Sequence, residues 1–209
     1  MKPDLVKRPT SWLSNLGRCP ICHTRASSDL GCCKVCAECL FQPGRHAKGV
    51  YLGRYEGELK RAVRAMKFGK VTRLAELFAD ALAREMRTTK KKYDLICPVP
   101  LHWTRRLKRG YNQSVLIARP LAAKLGAAYA RPLTRLRRTR QQARLSREER
   151  IHNVRTAFRS RAVTGLRVGL VDDVITTGAT INACEEALLK AGAHSVTFIS
   201  VTWHSGTLR

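Results

Sequence analysis

The sequence VGLVDDVITTGATI at residues 168–181 decides the fold. Its first half is a continuous apolar run, typical of a strand buried on both faces, and we expect that strand to end at Asp172 and Asp173. Its second half turns through ITTGAT into a helix. In an open α/β sheet, ligands bind at the carboxyl ends of the strands. The stretch therefore predicts a binding site where a strand, a turn and a helix meet.

The turn after this strand has the chemistry of a phosphate site. Thr176, Thr177 and Thr180 offer hydroxyl groups, and Gly178 permits a tight turn in which backbone N–H groups converge on one point. The start of the helix adds the positive end of its dipole. Together these groups form an anion pocket of the size of a phosphate. The alternative is a polar turn without a ligand.

The two acids before the turn need a different partner. Asp172 and Asp173 cannot hold the phosphate, because like charges repel. They suit the hydroxyls of a neighbouring ribose, or Mg²⁺ that neutralises a pyrophosphate. Two solvated acids are the alternative, but adjacent carboxylates at the end of a buried strand are costly without a ligand or a cation. Residues 168–181 thus indicate a site for a ribose 5-phosphate group.

The rest of the chain alternates between strand and helix patterns. Residues 47–57 predict a strand or a hairpin, residues 93–100 a short strand, and residues 195–203 a last strand that follows a helix end at Gly192. The positions predicted to face inward on three helices are Leu74, Leu77, Phe78, Ala81 and Leu82; Val115, Leu116, Ala118 and Leu121, with Pro120 at a kink or an end; and Ile181, Cys184, Ala187 and Leu188. This alternation predicts an α/β fold, a mainly parallel sheet with helices on both faces.

The charge is strongly unbalanced, with 40 Lys+Arg against 15 Asp+Glu and a formal net charge of +25. Such a chain attracts polyanions, either nucleic acid or a phosphate-rich small molecule. A genome rich in arginine codons would explain why arginine outnumbers lysine, but it would not explain the small number of acidic residues. The arginine-rich residues 131–167 are expected to form an exposed, mobile excursion from the sheet. With no cleavage signal and no apolar run of membrane-spanning length, we expect a cytoplasmic protein without a membrane span.

Six of the eight cysteines lie close together near the start of the chain. Two CxxC pairs, Cys19 with Cys22 and Cys33 with Cys36, give four thiolates for a tetrahedral, structural Zn²⁺ site. Cys36 with Cys39 is an alternative second pair of the same spacing. A redox dithiol and a c-type haem attachment at CPICH are weaker alternatives, since haem attachment usually needs export and a second CxxC lies nearby.

Residues 168–180 resemble the signature of the type I phosphoribosyltransferases, which is an apolar strand, two acidic residues and a loop rich in threonine and glycine. The resemblance implies that Asp172 and Asp173 contact the ribose hydroxyls of 5-phosphoribosyl-1-pyrophosphate (PRPP), which binds with Mg²⁺. If transfer occurs, these two acids are the catalytic residues. The loop residues that would hold the 5-phosphate are Thr176, Thr177, Gly178, Ala179 and Thr180.

Three further blocks make the chain similar to the ComF family of competence proteins. They are the cysteine-rich start, PVPLHWTRRLKRGYNQS at residues 98–114, and TRQQARLSREERIHNVRTAF at residues 139–158. The resemblance implies a zinc module, with Cys33 and Cys36 as its second ligand pair, before a phosphoribosyltransferase-like domain. We place these parts at residues 1–45 and 46–209, with a flexible arginine-rich loop at about residues 134–156.

Two basic segments are candidates for contact with pyrophosphate or with a nucleic-acid backbone, because arginine grips phosphate oxygens in pairs. The candidates are Arg105, Arg106, Lys108 and Arg109 in the first segment, and Arg138, Arg147 and Arg150 in the second. The second segment matches the flexible loop that closes over the reaction in phosphoribosyltransferases and expels water. It would equally suit a DNA backbone, and a basic loop without a ligand is the alternative for the first.

The resemblance implies a role in the uptake or use of DNA, and three functions follow from it. The favoured function is a protein that binds PRPP and Mg²⁺ and also single-stranded DNA. The second is an active phosphoribosyltransferase that moves phosphoribosyl from PRPP to an unknown acceptor. The third is an adaptor whose zinc module docks a DNA-translocating helicase.

Overall fold

The computed structural model describes residues 40–46, 48–101, 110–136 and 157–204, together with Cys19, Cys36 and Leu107. The helices are α1 (Gly57–Phe68), α2 (Leu74–Thr88), α3 (Gln113–Leu125) and α4 (Ala179–Lys190). The strands are β1 (Gly44–His46), β2 (Gly49–Arg54), β3 (Leu95–Pro98), β4 (Ala128–Tyr129), β5 (Leu133–Arg135), β6 (Phe158–Ser160), β7 (Arg167–Ile175) and β8 (Ser195–Trp203).

Six of these strands form one sheet in the order β1-β2-β8-β7-β3-β4. The pair β1–β2 is antiparallel, and every other neighbouring pair is parallel. Helices α1, α2 and α3 pack in the hydrophobic cluster on one face, and α4 packs in the cluster on the other. The prediction of a mainly parallel sheet with helices on both faces is confirmed.

Strand β7 lies in the middle of the sheet, between β3 and β8. Its residues Val168, Leu170 and Val171 are at most 1% exposed, as expected for a strand covered on both faces. At Gly169 a Cβ atom would lie 2.6 Å from the Cδ1 atom of Ile96, so a larger residue there would force that side chain to shift.

The prediction that this strand ends at Asp172 and Asp173 is wrong, because β7 continues to Ile175. Val174 and Ile175 still pair with the last residues of β8, so the ladder runs past the acids. The two carboxylates are therefore held within the strand, three and two residues before it ends. This gives them fixed directions, which a loop would not.

Helix α2 follows the predicted periodicity. All five positions predicted to face inward between Leu74 and Leu82 are buried, and Phe78 is completely inaccessible. The lysines that follow at residues 90–92 are exposed, as predicted for a solvated linker. Amphipathic spacing is sufficient here because one face of the helix covers the sheet.

Helix α3 buries a different face from the predicted one. Ala118 and Leu121 are buried as predicted, but Val115 and Leu116 are only partly buried, and Ile117 takes the inward position. The buried face begins with two polar residues, Gln113 and Ser114, so the apolar pattern alone is out of phase with the true face. Pro120 lies inside the helix and does not end it.

Helix α4 and strand β8 complete the other half of the fold. Ile181, Cys184 and Leu188 are buried as predicted, whereas Ala187 is partly buried. The helix ends at Lys190, two residues before Gly192. Strand β8 spans residues 195–203, which confirms the predicted bounds.

The expectation that residues 131–167 form an exposed excursion is wrong for both ends of that segment. Strands β5 and β6 pair in an antiparallel ladder, and Leu133, Ala157 and Phe158 are buried beside the cluster of α4. Partners about 25 residues apart meet there, a contact that local composition cannot reveal. Residues 137–156, which include most of the predicted flexible loop, lie outside the described residues.

The predicted strand or hairpin at residues 47–57 contains the strand β2, and Gly57 already begins α1. The hairpin partner of β2 is β1, which precedes the predicted range. Strand β2 continues the main sheet by pairing in parallel with β8. Within the described part of the chain, no helix combines the length and the apolar character needed to cross a membrane.

Candidate functional site

A cavity of about 310 Å³ lies at the carboxyl edge of the sheet, where the sequence predicts the site. The ends of β3 and β7, the start of α3 and the turn into α4 surround it. The predicted residues that line it are Asp172, Asp173, Thr176, Thr177, Gly178 and Thr180. Ala179 follows this turn as the first residue of α4. The fold thus brings both halves of the predicted site around one space.

The turn between β7 and α4 presents hydrogen-bond donors to the cavity. Gly178 has a φ of 69°, in the left-handed region that favours glycine, and it precedes the first residue of α4. No side chain of the described residues caps this helix start, so its first N–H groups keep their capacity to donate. Thr176 and Thr177 are exposed and add hydroxyls at the same place. This arrangement suits an anion such as a phosphate.

The two acids make different contacts, although the partners of both belong to helices on the same face of the sheet. Asp173 is buried and pairs with Lys67 of α1, with 2.9 Å between Nζ and Oδ1. Asp172 accepts hydrogen bonds on Oδ1 from the Ser114 hydroxyl at 3.0 Å and from the Asp173 backbone N–H at 2.9 Å. The chain therefore compensates part of the negative charge of the pair.

The pKa of Asp172 reflects this crowding. Burial, followed by the negative charge of Asp173, raises the pKa of Asp172 to about 7. The positive charge of Lys67 and the hydrogen bonds to Asp172 act in the opposite direction but are weaker. A carboxyl group in this state is sensitive to any cation or hydrogen-bond donor that enters the cavity.

Several residues of the cavity were not predicted from the sequence. Lys67 was one lysine among many, and no motif marks it. Tyr55 and Arg135 also line the cavity, from the turn after β2 and from β5. Asn112 does so from the start of α3, where its side chain donates to the carbonyl of Val99 at 2.9 Å. Residues 98–114 attracted attention because of their family resemblance and their basic residues. The polar residues that follow Tyr111 are the signal that could have identified Asn112 as part of the site.

Comparisons with known proteins agree with this geometry. Residues 111–206 match the family model described as the phosphoribosyl transferase domain. Over 202 residues the chain is 33% identical to the DNA utilization protein YhgH of Salmonella typhi, with 88% of this chain and 89% of that protein covered. The chain belongs to the ComF family. Its fold is that of the type I phosphoribosyltransferases.

A second ComF-family relative is Competence protein F of Haemophilus influenzae. It is 34% identical over 172 residues, which cover 77% of this chain and 75% of that protein. Among solved structures, the glutamine PRPP amidotransferase from B. subtilis aligns with a TM-score of 0.45 and 26% identity, over 62% of this chain. The aligned part is 26% of that structure's chain, so this chain spans about a quarter of its length.

The basic residues singled out in the two ComF blocks lie outside the described residues. They are Arg105, Arg106, Lys108, Arg109, Arg138, Arg147 and Arg150. Arg135, just before the second basic segment, does line the cavity, with its guanidinium carbon 5.2 Å from the centre of the Phe158 ring. An arginine from this part of the chain is thus present at the site.

Two of the four predicted zinc ligands of this ComF-family chain are described. Cys19 and Cys36 are both buried and belong to the hydrophobic cluster that contains α2. Cys22 and Cys33 lie outside the described residues, and the described residues contain no group of three or more metal-ligating side chains. The zinc site stays a prediction, as does the alternative pairing of Cys36 with Cys39.

Proposed function

We propose that this ComF-family protein binds PRPP or a related ribose phosphate in the cavity, and that it binds single-stranded DNA in the uptake or use of DNA. One observation carries the first part: a single cavity joins a helix start without a side-chain cap to an acid pair. The helix start and its threonine-rich turn attract a phosphate. The acids accept hydrogen bonds from ribose hydroxyls. The two halves together match ribose 5-phosphate.

Asp172 has the better position for the ribose hydroxyls. It is partly exposed, and both of its hydrogen bonds from described residues go to Oδ1, so Oδ2 keeps acceptor capacity. Asp173 is buried and its Oδ1 atom is occupied by Lys67. In this assignment Ser114 and the backbone hold Asp172 in place, and its remaining oxygen faces the ligand.

Mg²⁺ fits the residues present. This ion is usually held by one or two carboxylates together with phosphate oxygens of the substrate. Asp172 offers such a carboxylate beside the phosphate-binding turn, whereas Asp173 is already paired with Lys67. When bound, the ion would neutralise charge on the pyrophosphate of PRPP. The chain's own residues would orient the ribose and its 5-phosphate.

The DNA part of the proposal is supported by charge and by the relatives. The formal net charge of +25 favours a polyanion larger than one PRPP molecule. The relatives carry the names DNA utilization protein and Competence protein F. Protruding lysines at residues 90–92 show that positive charge is not confined to the cavity.

The match to the phosphoribosyl transferase domain favours a second candidate function, transfer of phosphoribosyl to an acceptor. In that reaction the bond from ribose C1 to the pyrophosphate oxygen breaks, and the acceptor forms a bond to C1. Asp172 and Asp173 would then be catalytic. Arg135, which lines the cavity, could stabilise the negative charge that develops on the leaving pyrophosphate.

Calorimetric titration of PRPP with Mg²⁺ tests the ribose-phosphate site. We expect micromolar binding by the wild type and a loss of roughly a hundredfold or more in the Asp172→Asn/Asp173→Asn variant, because the ribose hydroxyls lose charged acceptors. Repeating both titrations with a single-stranded oligonucleotide tests whether the two ligands are coupled. Release of pyrophosphate in the presence of nucleosides or bases would support transfer.

The matched control is Glu76→Gln/Asp80→Asn, which changes the net charge equally at exposed positions of α2. Both of these residues pair with Lys124, away from the cavity. This control should bind PRPP as the wild type does. Absence of PRPP binding by a folded wild type, or equal losses in both double variants, would overturn the proposed site.

A further inference from the structure

The ion pair of Lys67 with Asp173 differs from the surface ion pairs of this protein. Its side chains are only 14% and 10% exposed, with 2.9 Å between the charged atoms. In the pair Arg45–Glu85 the arginine side chain is 52% exposed, and in the pair Lys190–Glu186 the lysine side chain is 75% exposed. Exposed pairs contribute little, whereas a buried charge without its partner is strongly destabilising. Lys67 is thus a built part of the cavity wall.

The backbone around Lys67 is fixed from two sides. Met66 beside it is completely buried in the core, and the Met66 carbonyl accepts a hydrogen bond from the Tyr111 hydroxyl. Lys67 also lies in the last turn of α1, where the helix dipole favours a cation. The end of α1 is therefore anchored against the segment that leads into α3, and the ammonium group is directed at the acid pair.

Helix α1 lies outside the residues that match the phosphoribosyl transferase domain, which begin at residue 111. The preceding part of the chain therefore supplies a charged residue to the site. Without Lys67, two adjacent carboxylates would face the cavity with no ammonium partner, and they would need a cation from solution. With Lys67 in place, a divalent ion that approaches Asp173 is repelled by the ammonium charge.

We propose that Lys67 is the resident counter-cation of the acid pair: it occupies Asp173, leaves Asp172 to the ribose hydroxyls, and makes the binding of a ribose 5-phosphate group independent of a divalent ion. This inference rests on the proposed ribose-phosphate site. Any requirement for Mg²⁺ then arises from the pyrophosphate of PRPP. Lys67 is a positioning residue, since it acts on the ligand through Asp173.

The first test needs no ligand and measures thermal unfolding as a function of Mg²⁺ concentration. In the wild type we expect no rise in Tm up to millimolar Mg²⁺. In Lys67→Met the uncompensated acids should bind the ion, so Tm should be lower in EDTA and rise with Mg²⁺. Lys67→Arg keeps the charge and should behave as the wild type. Lys190→Met removes one exposed lysine elsewhere and should not create a response.

The second test is titration of ribose 5-phosphate, which has no pyrophosphate. Wild-type affinity should change less than about threefold between EDTA and Mg²⁺. In Lys67→Met the affinity in EDTA should fall by roughly tenfold or more, because an unpaired carboxylate then lies near the phosphate, and Mg²⁺ should restore most of it. If Lys67→Met fails to fold, Lys67→Met/Asp173→Asn removes both charges, and it should fold and show no response to Mg²⁺.

Equal Mg²⁺ responses of wild type and Lys67→Met, in either test, would overturn the role of Lys67. If the wild type binds neither ribose 5-phosphate nor PRPP under any condition, the proposed function fails instead. The melting experiment distinguishes the two failures, since it reports the competition between Lys67 and the ion without any sugar phosphate.

Discussion

Asp172 and Asp173 are neighbours in the sequence, and helices from the same face of the sheet contact both of them. Asp173 meets Lys67 of α1, and Asp172 meets Ser114 at the start of α3. Two like charges are in this way placed at one cavity with different partners. The result is an acid pair in which one member is neutralised by the chain and the other remains able to accept hydrogen bonds.

The raised pKa of Asp172 makes stability depend on pH. Because its folded pKa of about 7 exceeds the value of about 3.9 for an unfolded aspartate, the folded protein holds a proton that the unfolded chain has lost. The contribution of this group to the free energy of unfolding is therefore fully present below about pH 4 and is lost as pH rises to about 7.

The Asp172→Asn variant lacks that dependence. The free energy of unfolding of the variant minus that of the wild type should therefore be higher at about pH 8 than at about pH 4.5, by roughly 1–3 kcal/mol. Urea unfolding of both proteins at the two pH values measures the difference. Near-ultraviolet circular dichroism at each pH verifies that both start from the same folded state. A stability difference that does not change with pH would contradict the assignment.

At the scale of secondary-structure elements, Asn112 connects the end of β3 with the start of α3. Its side chain accepts from the Ser114 N–H at 3.0 Å, as a helix N-cap, and donates to the Val99 carbonyl at 2.9 Å. Asn112→Ala should lower the free energy of unfolding by about 1–2 kcal/mol, because both bonds are lost. It should also weaken PRPP binding, since Ser114 holds Asp172.

Urea unfolding measures this cost, and Asn112→Ser is the matched control. Serine is also a good N-cap, so it should retain the bond to the helix and lose only the one to Val99. We expect its loss of stability to be smaller than that of the alanine variant. Equal losses in both variants would show that capping of α3 contributes nothing measurable.

The elements also show how far the sequence determines the fold. Periodicity identified α2, β7 and β8 because each has a single, simple pattern of burial. It failed for the buried face of α3, which begins with polar Gln113 and Ser114, and for β5 and β6, whose pairing joins distant segments. The turn at residues 176–180 was predictable from its composition. Lys67 was not, because its role depends on how α1 packs across the sheet.

At the scale of the whole molecule, two parts of the chain build one site. The domain matched at residues 111–206 supplies the turn and the acid pair, and α1 supplies Lys67. Several acids of the described residues are already engaged by bases, for example Glu85 by Arg45 and Asp94 by Arg167. The excess of positive charge is therefore available to a long polyanion.

Single-stranded DNA binding should consequently be strongly salt-dependent and separate from the acid pair. If about six phosphates are contacted, the logarithm of the binding constant should fall with the logarithm of salt concentration with a slope of roughly −4. Fluorescence anisotropy with a labelled oligonucleotide, over a series of salt concentrations, measures this slope. Asp172→Asn/Asp173→Asn should bind DNA at least as well as the wild type, because it removes negative charge.

The same measurement locates the DNA contact. If the arginine-rich segment touches the backbone, replacing Arg138, Arg147 and Arg150 with alanine should reduce the slope by about 2, since three phosphate contacts of about 0.7 each are lost. The matched control replaces Lys90, Lys91 and Lys92, which carry the same charge on an exposed linker. Equal reductions by both triple variants would mean that only net charge matters. A reduction confined to the lysine variant would place DNA at the opposite edge of the sheet and assign the arginines to pyrophosphate.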